Sequence, residues 1–395
     1  MVDGGEDPIS FCCRRRRSPK SSDAAQRAEE GLSDALAAAA PRLAGSLSAT
    51  VGSTPLVRLN RVTQGCSAEV YAKLEFISAG GSVKDRIAVH MIEAAEARGE
   101  INPESSVLVE ATSGNTGVGI AMIAAAKGYR CIISMPRTPT MTERYMLCRA
   151  YGAEVYLSDP AEGAKGFVKL AEKIAETTPG AYLMRQFTND DNVEAHYTGT
   201  GPEIWAQTSG RIDVLVAGAG TGGSLVGIGR YLKEKKPRCH MVCVEAAESR
   251  VLAGLDEPGP VAHGLVGISA GILLPLIDKE VQLCAEKQPA AQETQEGSRY
   301  PGVIDEFAQV PSSRGVAMAK RLAEQEGLLV GPSSGAACVA ALELAKKPER
   351  KGQVIVVVFP SSGSRYMQHP MFDRLRQEAA RELPWCNFCS SENWR

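Results

Sequence analysis

Histidine is scarce in this chain, with five in 395 residues, at positions 90, 196, 240, 263 and 369. None belongs to an H-E-x-x-H or another close ligand pair, so no metal site is expected. An excess of one charge is also missing. The 46 acidic and 44 basic residues leave a formal charge of −2, which offers no overall attraction for nucleic acid or membrane phosphate. No apolar run approaches the roughly 18 residues of a membrane-spanning helix. The longest, such as Val354 to Phe359, have strand length. Cys386 and Cys389 form a C-x-x-C with no second pair at zinc-finger spacing. The eleven cysteines are odd in number, and most, among them Cys131, Cys148, Cys243 and Cys338, sit in apolar segments. They read as reduced thiols of a cytoplasmic protein.

What is present is an ordinary globular composition, 44% hydrophobic and 23% charged, in a chain long enough for two or three packed units. Residues 1–45 differ from the rest. They hold an acidic, Gly-rich start, the run Arg14 to Arg17 and an Ala-rich stretch, and read as a flexible N-terminal extension. No apolar segment follows the arginines, so a secretory signal is not supported, and acids such as Asp3, Glu6, Asp23, Glu29 and Glu30 argue against a transit peptide without excluding organelle targeting.

Beyond residue 45, short β-rich apolar runs alternate with Ala-rich stretches of helical period. Strands are expected at 70–74, 107–110, 131–135, 154–157, 214–217, 241–244 and 354–359. Helices are expected at 86–98, 117–126, 142–150, 163–176, 223–233, 314–326 and 336–344. The alternation implies an α/β fold with largely parallel sheets, divided as 46–190 and 191–375 with a tail at 376–395. Residues 286–300 lack periodicity and read as a surface loop. In such folds ligands bind beyond the carboxyl ends of the strands, where helices begin.

Three strand-to-helix turns are unusual. In Gly80-Gly81-Ser82-Val83-Lys84-Asp85-Arg86, Ser82 and Asp85 have near capping-box spacing, which places Lys84 in the first helical turn. The positive end of the helix dipole disfavours a protonated amine there, as a nucleophilic lysine requires; a solvated surface lysine is the plainer reading of this turn alone. Thr112-Ser113-Gly114-Asn115-Thr116-Gly117 places two glycines and four polar side chains at a helix N-terminus, a seat for a carboxylate or phosphate. Gly218 to Ser224 contains G-x-G-x-x-G, with Glu245 some way downstream. It suits either a dinucleotide or a single phosphate.

Taken together, these turns, Gly331-Pro332-Ser333-Ser334-Gly335, Thr54-Pro55-Leu56-Val57-Arg58-Leu59 and Thr200-Gly201-Pro202-Glu203-Ile204-Trp205 resemble the cysteine synthase and cystathionine β-synthase family in unbroken order from about Thr54 to Met367. The resemblance implies a fold type II pyridoxal 5′-phosphate enzyme, similar to the tryptophan synthase β-subunit, with two three-layer α/β domains. It implies that Lys84 bonds the cofactor and acts in catalysis, that Asn115 contacts its 3′-oxygen, that Gly220, Thr221, Gly222, Gly223 and Ser224 hold its phosphate, and that Ser333 faces its pyridine nitrogen. Thr112, Ser113, Gly114, Thr116 and Gln186 would bind the substrate carboxylate. A serine at the ring nitrogen disfavours ring protonation, which suits β-elimination over transamination.

Gly267-Ile268-Ser269-Ala270-Gly271 is similar to the Gly-Ile-Gly-Ala-Gly of cysteine synthases and places Gly267 at the acceptor side. The resemblance thus favours synthesis of L-cysteine from O-acetyl-L-serine and sulfide. Serine with homocysteine is the alternative, and a weakly catalytic partner of serine acetyltransferase is the reading from another class. A homodimer is implied by the resemblance alone.

Overall fold

Six consecutive apolar residues, Val354 to Phe359, fit only a strand covered on both faces, and all six are buried. The computed structural model describes residues 43–259, 261–268, 271–287 and 302–383. The Arg14 to Arg17 run, Ser269 and Ala270, residues 288–300 of the expected surface loop and the Cys386/Cys389 pair lie outside them. Contacts divide the chain after Gly45.

Among the described residues the strands are β1 (Leu56–Arg58), β2 (Glu69–Leu74), β3 (Val107–Ala111), β4 (Arg130–Pro136), β5 (Glu154–Ser158), β6 (Ala181–Leu183), β7 (Ile212–Gly218), β8 (His240–Ala246), β9 (Glu306–Val310) and β10 (Val354–Phe359). The α-helices are α1 (Lys84–Ala97), α2 (Asn115–Lys127), α3 (Thr142–Ala150), α4 (Gly163–Thr177), α5 (Asp190–Ala195), α6 (Gly201–Gln207), α7 (Gly223–Lys235), α8 (Pro275–Lys287), α9 (Ser312–Glu326), α10 (Pro332–Ala345) and α11 (Asp373–Glu382). A π turn, His196–Thr200, joins α5 to α6.

Two sheets result, one of four strands in the order β5-β4-β3-β6 and one of six in the order β1-β2-β10-β7-β8-β9. Every pairing is parallel except β1 with β2. The sheets do not divide at a single point of the sequence. β1 and β2 precede the four-stranded sheet in the chain yet lie in the six-stranded one.

Both sheets are covered on both faces, which makes each a three-layer unit. On β10, Ile355, Val357 and Phe359 pack with Leu322 of α9 and Ala337 of α10, while Val354, Val356 and Val358 pack with Leu225 and Ile228 of α7. On the four-stranded sheet, Leu108, Cys131 and Ile133 meet α1 and α2, and Val107, Val109 and Ile132 meet Ala171 and Ile174 of α4. Burying alternate residues on opposite faces takes both sides of the inner strands β3, β4, β7, β8 and β10 out of water, at about 25 cal/mol per Å² of apolar surface.

The periodicity misses β1, β6 and β9, and α5, α6, α8 and α11. β1 and β6 are three residues long, and β9 is an edge strand with polar letters three apart, at Glu306 and Gln309. Such pieces carry too few residues, or too mixed a pattern, for period alone to separate them from loops.

Candidate active site

The carboxyl ends of β3, β7 and β10 open onto one cavity of about 280 Å³. Every site residue singled out in the sequence faces it except Gly223, the first residue of α7. The lysine turn, the Thr112 to Thr116 turn, the glycine loop, Gln186, Gly267 and Ser333 therefore meet in one place.

Lys84 opens α1, as its turn suggested, but not through a capping box. Its N–H reaches Ser82 Oγ at 3.3 Å, and the Asp85 carboxylate instead takes the Gly80 N–H at 2.7 Å. Removal from water lowers the Lys84 ammonium to about 8, against a pull upward from Glu110. The amine is thus available as a nucleophile or base near neutral pH. Glu110, at the end of β3, is itself pushed up to about 8 by burial, with hydrogen bonds from residues 185–186 opposing the shift. A lone acid within a strand carries no motif, so nothing in the letters marks Glu110.

In the second turn the Thr112 hydroxyl accepts the Gly114 N–H at 3.0 Å. Thr116 donates to Gln186 Oε1 at 2.6 Å, and Gln186 Nε2 donates to the Ala111 carbonyl at 2.9 Å. Asn192 then joins this side of the cavity to the glycine loop, its amide donating to the Gln186 carbonyl at 2.7 Å and to Thr221 Oγ1 at 3.0 Å. The only sequence signal for Asn192 is the helix start at Asn189, whose side chain accepts the Asp191 N–H.

Arg144 of α3 also lines the cavity although it is only 2% exposed. Its guanidinium lies 4.7 Å over the Tyr366 ring and donates to the Thr140 carbonyl at 2.8 Å, while Nε and Nη2 have no partner. Nothing in the letters around it marks that role.

The motif residues with no expected task, Thr54, Arg86 and Glu203, meet in a buried network behind the lysine turn. Arg86 bridges Glu75 at 2.6 Å and Glu203 at 2.7 Å. Lys73, fully buried, holds Glu203 at 2.6 Å and the Thr54 carbonyl at 2.7 Å. β2, α1 and α6 are clamped together two residues from Lys84.

The acid that a dinucleotide would require does not face the cavity. Glu245 is buried and takes the N–H groups of Leu252 at 2.7 Å and Ala253 at 3.0 Å. Among the described residues no cluster of three metal-ligating side chains occurs.

The pyridoxal-phosphate dependent enzyme family matches residues 47–361 of the chain. The chain belongs to this family. It is 41% identical over 331 residues to cysteine synthase 3 of Caenorhabditis elegans, covering 84% of this chain and 90% of that protein. It is also 41% identical over 323 residues to a cysteine synthase of Staphylococcus aureus, covering 82% and 95%. The crystal structure of O-acetyl serine sulfhydrylase isoform 3 from Entamoeba histolytica superposes with a TM-score of 0.73 at 35% identity, covering 84% of this chain and 92% of that one. The fold is the fold type II arrangement of the family.

The cavity fits the family's cofactor. Asn115 Oδ1 is buried without a partner, a free polar atom beside Lys84 in the same cavity wall. Gly222 takes a φ of +89°, which turns the loop so that α7 starts with its N–H end at the cavity, the position that favours a phosphate.

Proposed function

We propose that this enzyme forms L-cysteine and acetate from O-acetyl-L-serine and sulfide. The observation that carries the reading is the convergence of Lys84, the Thr112 to Thr116 turn, the glycine loop and Ser333 on one cavity, together with identity above 40% to curated cysteine synthases over more than four-fifths of the chain. Pyridoxal phosphate supplies the electron sink that makes the substrate's α-proton acidic and lets the β-substituent leave.

In this reading Lys84 would hold the cofactor, and its freed Nζ would take the substrate's α-proton. An amine lowered to about 8 serves both tasks near neutral pH. Asn115 meets the cofactor's 3′-oxygen, residues 220–224 its phosphate and Ser333 its ring nitrogen. The free hydroxyl hydrogens of Thr112 and Ser113, the backbone around Gly114 and the second N–H of Gln186 orient the carboxylate. Thr116 acts by holding Gln186, since its single hydroxyl proton is given to Oε1. Closure of that turn over the substrate would exclude water from the site, and Gly267 would border the side from which sulfide enters.

The same family likeness supports a homodimer and a cleft able to take a serine acetyltransferase tail. No helix among the described residues is long and apolar enough to cross a membrane, and the reduced-thiol composition supports a cytoplasmic location.

The test is cysteine formation with acetate release. The visible band of the loaded protein should shift on adding O-acetyl-L-serine and return on adding sulfide. A band that ignores O-acetyl-L-serine but responds to serine, with product only on adding homocysteine, would replace this reading by cystathionine synthesis. Binding of serine acetyltransferase without turnover would leave the non-catalytic reading.

A further inference from the structure

Behind the glycine loop, three side chains form a chain of hydrogen bonds that the elimination chemistry does not call for. Ser224 Oγ lies 2.9 Å from His196 Nε2, and His196 Nδ1 lies 2.8 Å from Thr200 Oγ1. His196 and Thr200 are fully buried, and Ser224 faces the cavity. Thr200 behaves unlike its neighbours. Thr198 and Thr208 return their hydroxyls to carbonyls four residues back, at 2.8 Å each, whereas Thr200, at the end of the π turn, points its own at the imidazole. Gly227 of α7 lets the ring come this close: a Cβ there would stand 2.8 Å from His196 Cβ and 2.3 Å from the Val193 carbonyl oxygen.

A hydroxyl has one proton and a neutral imidazole one N–H, so the two bonds can run in only two consistent directions. In one, Thr200 donates to Nδ1, Nε2–H donates to Ser224, and the Ser224 proton is left for the cavity. In the other, both bonds reverse and Ser224 presents only lone pairs. A charged ring is disfavoured by burial and by Arg86, Lys84 and His90, which outweigh Glu203. A phosphate dianion only accepts, so a bound phosphate selects the first direction.

We infer that His196, fixed as its Nε2–H tautomer by Thr200, is a positioning residue that makes Ser224 an obligate donor to the cofactor phosphate. The inference rests on the reading that residues 220–224 hold that phosphate.

The first measurement is nitrogen-15 NMR of the histidine-labelled, cofactor-loaded protein, in which His196 should show a protonated Nε2 and a bare Nδ1. A protonated Nδ1 overturns the proposal, and this result needs no variant to fold. The second is the affinity of the apoprotein for pyridoxal 5′-phosphate and for pyridoxal in His196→Gln and His196→Phe. The Gln amide can still donate to Ser224 and Phe cannot. In His196→Phe the Ser224 hydroxyl loses the donor that fixes its direction and is free to turn from the phosphate, which predicts up to about tenfold weaker phosphate-ester binding. His196→Gln should stay within about threefold of the unmodified protein, since its donor is kept. Pyridoxal, which lacks the phosphate, should bind both variants as it binds the unmodified protein. Equal weakening for pyridoxal, or Gln no better than Phe, overturns the proposal. If the unmodified protein binds pyridoxal as tightly as its phosphate ester, the reading of the glycine loop fails instead, and the inference falls with it.

Discussion

A Cβ added to Gly220 would lie 2.5 Å from the carbonyl oxygen of Gly267. The loop assigned to the cofactor phosphate and the segment assigned to the acceptor side are therefore in backbone contact, with no side chain between them to yield. Gly220→Ala should push the two apart. The expected result is weaker cofactor binding together with a raised KM for sulfide, measured by cofactor titration and by steady-state kinetics. A change in only one of the two would show that the contact does not couple them.

Lys84 is the residue whose loss should be complete. Lys84→Ala should leave no sulfide-dependent cysteine formation, and measurable turnover in that variant would remove Lys84 from the chemistry. The lowered ammonium gives a second check. Only the neutral amine attacks, and a group at about 8 is mostly protonated below that pH. The rate at which apoprotein captures pyridoxal phosphate should therefore rise about tenfold per pH unit below 8 and level off above it. An ordinary lysine would keep rising toward 10.5. Stopped-flow absorbance from pH 6 to 10 separates the two.

Ser333 lies 3% exposed in the first turn of α10, where a carboxylate is also compatible with the helix dipole. Ser333→Asp should retain the cofactor but slow release of acetate from O-acetyl-L-serine, because an acid opposite the ring nitrogen favours its protonated form. Rapid-mixing absorbance of the first half-reaction measures it. An unchanged rate would mean that Ser333 does not face that nitrogen.

The site was legible where chemistry needs a run of particular letters at a strand-to-helix turn. Lys84, Thr112 to Thr116, the glycine loop and Ser333 stand on such turns, and a turn is a local property that sequence displays directly. Glu110, Arg144, Asn192 and His196 were not legible as site residues. Each sits inside or at the start of a regular element and reaches the cavity or its rear wall only through packing between sheets. The same distinction holds for the fold. The two-sided apolar run of β10 announced itself, whereas the three-residue β1 exists because β2 offers it an edge, a non-local fact.

The network behind Lys84 predicts a stability effect with no contact to substrate. Removing Arg86 leaves Glu75 and Glu203 without their common cation, and Glu75 is fully buried. Breaking a buried pair on one side costs about 3–5 kcal/mol. Arg86→Met should therefore lower the urea midpoint sharply, and Lys73→Met, which leaves Glu203 still held by Arg86, should cost less. Equal losses would contradict the central place of Arg86.

Glu110 gives the clearest pH test of the buried end of β3. Its folded-state carboxyl, at about 8, stands above its ordinary 4.5. Below 4.5 both folded and unfolded chains hold the proton, and its contribution does not vary. Between 4.5 and 8 the folded chain keeps a proton that the unfolded chain releases, so this group lowers stability steadily as pH rises. Glu110→Gln keeps the shape and removes the titration. The variant's gain in thermal midpoint over the unmodified apoprotein should grow from pH 5 to pH 8. Above 8 Lys84 acts in the opposite sense, because the unfolded lysine still binds a proton that the folded one has lost, so the comparison belongs below that point. A gain independent of pH across 5 to 8 would mean that Glu110 is already ionised in the folded protein, held by the hydrogen bonds from residues 185–186 that oppose the burial, and the upward shift assigned to burial would fall.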